Sequence, residues 1–309
     1  MTAIVEKRAE TAVARGDAPE PAPAAPAAPP AGFAGTLKRY PLAAIAALVL
    51  AIIGLSAIFA PLVGTTDPTA LNPAARLQGA SAAHWLGTDH LGRDVWSRLV
   101  YGARVSVVVG LAVAALAVVV GLVIGLFTGF IRWLDPIVMR VMDGLMAIPG
   151  ILLAIALVSV SGASLVTVIA AIVVPEVPRV VRLVRSVVLS VREEPYVEAA
   201  VSVGTPLPKL LWRHVLPNCV PPLIVQATYV AASAMLTEAI LSFLGAGTPP
   251  IVPSWGNMVA EGRLLFQIAP MNLLYPGIAL AITILAVNIL GDALRDRLDP
   301  KLAKRVGQR

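Results

Sequence analysis

Few side chains in this sequence combine the types and spacing that reaction chemistry requires. His84 and His90 flank Asp89, but two imidazoles and one carboxylate fall short of the ligand set that a dedicated metal site needs. The single cysteine, Cys219, has no companion for a disulfide or thiolate site and reads as a small apolar filler. The sequence contains no G-x-x-x-x-G-K-[ST] phosphate loop, no G-x-S-x-G elbow and no H-E-x-x-H pair. It therefore reads as non-catalytic, with no metal site and no cofactor of its own. What stands out is charge in apolar surroundings: Asp143, Glu176, Glu238 and Asp292. Ionisable groups in hydrocarbon are expensive and so mark function by default. Arg140 and Arg179 stand three residues from Asp143 and Glu176, the spacing for pairing across one helical turn. Glu238 has no basic residue within a turn. It is the strongest candidate for a pathway or gate residue, or else for one that fixes the geometry of a loop.

The elements that must position these groups are apolar helices. The chain has 309 residues, 58% hydrophobic and 14% charged, with mean hydropathy +0.83, and the apolar residues come in long runs. This excludes an ordinary soluble domain and predicts an all-α, polytopic membrane bundle. A helix of about 20 apolar residues crosses the hydrocarbon core. The expected spans, six in all, are Pro41–Val63, Val105–Ile131, two within Gly144–Pro175 split at Ser161-Gly162-Ala163-Ser164, Cys219–Gly245 and Asn272–Gly291. Residues 1–36 are rich in Ala and Pro and predict a disordered tail rather than a secretory signal, so the first span should remain in the mature protein. Residues 37–104 then form the first span and a long outer loop, residues 105–302 a core, and residues 303–309 a basic tail.

Lys and Arg set the orientation. The N-terminal tail, the loops after spans two and four and the C-terminus hold 19 of the 24 basic residues, which predicts that both termini are cytoplasmic. The net charge of +6 thus reflects membrane orientation, and nucleic acid is not an expected partner. In span two, Gly121, Gly125 and Gly129 recur every fourth residue and predict close helix packing.

Between Arg179 and Pro217 lie six basic and three acidic residues, so this stretch lies in water between apolar spans. Two short helices are expected, split at Gly204, which can take the positive φ that ends one helix while the chain reverses. Leu207, Leu210, Leu211 and Val215 follow at helical spacing. An exposed apolar stripe of this kind asks for a protein groove. The alternative is that it packs back on the protein's own surface.

Glu198-Ala199-Ala200, Gly204 and His214-Val215-Leu216-Pro217 have the spacing E-A-A-x3-G-x9-I-x-L-P, which resembles the EAA loop of binding-protein-dependent ABC importer permeases. Arg213-His214-Val215-Leu216-Pro217-Asn218, Leu86-Gly87-Thr88-Asp89-His90-Leu91-Gly92-Arg93-Asp94, Tyr101-Gly102-Ala103-Arg104, the run Glu238–Gly245, Pro253–Met258, Gly291–Asp296 and Leu298-Asp299-Pro300 are similar to the C-type permease of dipeptide, oligopeptide and nickel systems. Pro206 and Pro208 depart from that pattern, but proline in a first helical turn costs little. The resemblance implies a type I ABC importer fold in a bacterial or archaeal cytoplasmic membrane. It implies half of a translocation pathway for short peptides, or for nickel or another small solute. It also implies a B-type permease partner, two ATPase subunits that use ATP and Mg, and an extracytoplasmic solute-binding protein. Glu198, Ala199, Ala200, Gly204, Leu207, Leu210, Leu211, His214, Leu216 and Pro217, in a loop of about residues 182–217, would then couple to the ATPases. A stand-alone secondary transporter, which would need an internal repeat and discontinuous helices, and a non-transporting scaffold are the rival classes.

Overall fold

The computed structural model describes residues 41–298. The Ala/Pro-rich tail and the basic C-terminal residues, with Asp299 and Pro300, lie outside them. The described residues are helical, with no strand among them: α1 (Pro41–Ile58), α2 (Val95–Phe130), α3 (Leu134–Ala147), α4 (Gly150–Ser161), α5 (Leu165–Val191), α6 (Pro195–Ser202), α7 (Leu207–Leu210), a π-turn (Leu211–Val215), α8 (Leu216–Phe243), α9 (Trp255–Arg263) and α10 (Met271–Leu298).

Among the described residues, four helices are long and apolar enough to cross a membrane: α1, α2, the Leu207–Phe243 rod and α10. The α3–α4 pair, bent by 88°, makes a fifth if it is one span. Three boundaries depart from the sequence expectation. Helix α2 starts ten residues early because Asp94 caps it, accepting from the Ser97 amide at 2.7 Å. The run after Asp143 breaks at Pro149, which lacks an N–H and pushes Ile148 to extended backbone (φ −92°, ψ 129°). Finally, α5, the expected fourth span, continues through Pro175 and Pro178 to Val191. It takes Glu176, Arg179, Arg182 and Arg185 with it and is too charged to read as a simple apolar span. The break at Ser161–Ser164 does occur: Gly162 takes φ +82°, and Ser164 and Thr167 form a reciprocal capping box at the start of α5.

The glycine stripe of α2 is a packing surface. A Cβ on Gly121, Gly125 or Gly129 would lie 2.5, 2.6 or 2.6 Å from the Cβ of Val180, Val184 or Val188 of α5. The valines occupy the space the glycines leave, which lets the two backbones approach closely. Cys219 is fully buried in the same core.

Candidate functional site

The Glu198–Pro217 segment closes one end of the bundle. Pro195 begins α6, where its missing N–H is no loss. Helix α6 ends at Ser202, and Gly204 reverses the chain at φ +84° with nothing within 4 Å of where a Cβ would stand. Conformation, not space, requires glycine there. Helix α7 then starts with Pro208 in its first turn and runs through the π-turn into α8, so the expected second short helix is the end of a continuous 37-residue rod. The two halves of the segment are clasped together. Asn218 Nδ2 donates to the Tyr196 hydroxyl at 3.1 Å and to the His214 carbonyl at 2.8 Å, and the Tyr196 and His214 rings lie 6.3 Å apart.

The expected exposed leucine stripe is a correction. Leu210, Leu211 and Val215 are buried in the main core, and Leu207 packs against it. The stripe covers the chain's own surface, because the π-turn and the Gly204 reversal turn that face inward. Leu210 and Leu211 therefore present nothing to a groove. The outward face carries other apolar groups: Val203 is 85% exposed, Trp212 75% and Val201 52%. Glu198, Ala199, Gly204 and Pro217 are exposed beside them, with Ala200, His214 and Leu216 half-buried.

Away from this segment, the Leu86–Asp94 motif builds an ionic cluster. Gly87 and Gly92 take φ of +80° and +75°, and a Cβ on Gly92 would overlap the Asn72 carbonyl. Those turns fold Asp89 against Arg93 and Arg98, both bonded to its Oδ2 at 2.6 Å. Glu261 of α9 closes the quartet, accepting from both guanidinium groups. Burial alone would raise Asp89. The Arg93 amide and charge, the Leu91 amide and Arg98 outweigh it and hold the carboxyl below its ordinary value. Asp89, His90 and Glu261 lie close enough to suggest a metal site, but both carboxylates are already engaged by arginines, and His84 bonds Asp94 at 3.0 Å. These residues do not fit a metal.

Glu238 is fully buried, with Oε1 accepting from Ser242 at 2.9 Å and Ser254 at 3.0 Å. Ser254 caps α9, and Trp255, the first residue of α9, donates its indole N–H to the Leu99 carbonyl at 2.9 Å. These contacts tie Glu238 to Ser254 at the end of the 246–254 loop. Glu176 does meet Arg179, at 3.2 Å, as its spacing suggested. Asp143 does not use Arg140: its partner is Arg182 of α5, at 2.7 Å. Asp292 is exposed. Glu261 was missed by sequence reasoning, since its partners lie 163 and 168 residues away. Its only local signal was an acid in the helix that follows Trp255.

The family model described as "Binding-protein-dependent transport system inner membrane component" matches residues 117–304. The chain is 54% identical over 268 residues, 87% of its length and 92% of the relative's, to a probable peptide ABC transporter permease protein of Sinorhizobium fredii. It is 43% identical over 86% of its length and 88% of the relative's to a dipeptide transport system permease protein of Alkalihalophilus pseudofirmus. Among solved structures, the inward-facing MetNI methionine ABC transporter superposes with a TM-score of 0.54 at 19% identity, covering 65% of this chain and 96% of that one. At that identity the likeness speaks for a shared fold.

Proposed function

This chain belongs to the family of binding-protein-dependent transport system inner membrane components, and we propose that it is the C-type permease of a peptide importer, carrying dipeptides or oligopeptides. It is a multi-pass membrane protein and a permease subunit of an ABC transporter. In this reading α5 is a sixth span despite its charges, both termini are cytoplasmic, and the Glu198–Pro217 segment faces the cytosol. The distribution of Lys and Arg supports that orientation, and the relatives' peptide and dipeptide names support the cargo.

The observation that carries the coupling role is the outward face of the Glu198–Pro217 segment. Val201, Val203 and Trp212 stand exposed around a tight reversal that is covalently continuous with α8. An exposed indole beside two exposed valines is the kind of anchor that fills a partner's pocket. An ATPase that grips this face and moves on closing would push the Leu207–Phe243 rod, whose far end holds Glu238 and, through Ser254, the outer loop. The B-type permease, two ATPase subunits and the extracytoplasmic binding protein complete the machine, with ATP and Mg used by the ATPases. A secondary transporter would need a second, repeat-related broken helix, whereas α3–α4 is the one sharply bent apolar pair among the described residues.

Reconstitution tests this function. The five-component complex in liposomes should take up dialanine only with ATP and the binding protein present. Uptake by this chain and its B-type partner alone, driven by a proton gradient, would contradict it.

A further inference from the structure

Half-exposed charge lies at the middle depth of this bundle. Gly121, Gly125 and Gly129 of α2 meet Val180, Val184 and Val188 of α5 in ascending order, so the two helices run parallel and in register. Gly121 lies three residues past the centre of the uncharged run 105–131. At a rise of ~1.5 Å per residue this puts Arg179, beside Val180, within about 5 Å of mid-depth. Its side chain is 45% exposed. One turn on, Arg182 is 44% exposed and bonded to Asp143, itself 57% exposed.

A second feature reaches the same level. Gly150 at the start of α4 abuts Pro175 of α5, where a Cβ would lie 3.1 Å from that of Pro175. The 88° break between α3 and α4 thus stands beside Glu176 and Arg179. Ala147, Ile148 and Pro149 at the break are exposed. Neither an exposed guanidinium nor interrupted helical backbone is tolerated against acyl chains at this depth; both occur where the wall faces water or other protein.

Resting on the importer reading above, we propose that the wall formed by α3, the α3–α4 break and α5 lines the aqueous translocation path, and that Arg179 binds the carboxylate of the zwitterionic solute carried through it. The chemistry favours Arg179 over Arg182 or Arg185. Arg185 is held by both oxygens of Asp135, and Arg182 makes a short bond to Asp143. Arg179 reaches Glu176 through one nitrogen at 3.2 and 3.3 Å, longer than the ~2.7–2.9 Å of strong charge-assisted bonds. It can exchange that contact for a bidentate carboxylate, while Ser233 continues to hold Glu176 at 3.2 Å. Asp143 meets Arg182 through Oδ1, so its second oxygen can accept the solute's ammonium group.

The test uses the assembled complex in vesicles, with Cys219→Ser and a reporter, Ala147→Cys, at the break and four residues from Asp143. A membrane-impermeant thiol reagent should label the reporter. Dialanine should slow labelling, and alaninamide, which lacks the carboxylate, should not. Arg179→Gln should raise the dialanine concentration needed for protection about 10- to 100-fold, the range for a lost charge-assisted hydrogen bond, and Arg179→Lys should restore part of it. An unlabelled reporter in vesicles that still transport would overturn the aqueous wall. Labelling that dialanine and alaninamide slow equally would overturn the Arg179 contact. Failure of the unmodified complex to take up dialanine with ATP would instead overturn the peptide-import reading on which this inference rests.

Discussion

Replacing Glu261 with Gln removes one charge from a neutral quartet and leaves Arg93 and Arg98 sharing Asp89. The Arg98 side chain is 2% exposed and that of Arg93 7%, so water cannot compensate. Breaking a buried ion pair from one side typically costs ~3–5 kcal/mol. Glu261 is 21% exposed and Asp89 remains, so the low end applies, about 3 kcal/mol. For a chain of this size that corresponds to an apparent melting midpoint lower by about 6–12 °C, read by size-exclusion chromatography of heated detergent extracts. Adding Arg93→Gln restores neutrality, so Glu261→Gln with Arg93→Gln should be less destabilised than the sum of the singles, by ~1–2 kcal/mol. A single variant within 2 °C of wild type (about 1 kcal/mol or less), or strictly additive singles, would refute the claim that the quartet is one buried electrostatic unit.

Other consequences follow from close contacts and charge. Gly125→Ala places a methyl group 2.6 Å from the Val184 Cβ and should cost ~1–3 kcal/mol of thermal stability by overpacking; combining it with Val184→Gly, which removes that Cβ, should cost less than the sum of the two single variants on the same assay. Asp89 titrates below its ordinary value in the folded state, so its stabilisation is complete above the ordinary carboxylate range and is lost as pH falls through the depressed value. Wild-type protein should therefore lose more melting temperature between neutral and strongly acid pH than Asp89→Asn, and parallel curves would exclude this role.

Features fixed by one residue's conformational freedom were legible in the sequence. Gly204 had to allow a reversal, Ser161–Ser164 had to break a run too long for one helix, and the four-residue glycine period had to face another backbone. Features fixed by distant partners were not. An amphipathic stripe such as Leu207, Leu210, Leu211 and Val215 announces that it will be covered, but periodicity carries no information on what covers it. Asp143 had a basic neighbour at the right spacing, yet Arg182 across the helix interface took it, because α3 and α5 meet there. The Pro149 break lay hidden in an uncharged stretch whose length was divided at Ser161–Ser164 alone. Glu261 and its arginines are joined only by the fold.

The central claim is that the exposed face around Gly204, and not the leucine stripe behind it, receives the ATPases. The most direct test compares Trp212→Asp with Leu211→Asp in affinity-purified complexes, measuring ATPase subunits per permease. Trp212 is 75% exposed and Leu211 5%, so Trp212→Asp should insert and remain monodisperse while losing ATPase subunits and uptake. Leu211→Asp should instead lower the yield of folded permease by placing a charge in the core. Full ATPase occupancy and wild-type uptake in Trp212→Asp would contradict the account.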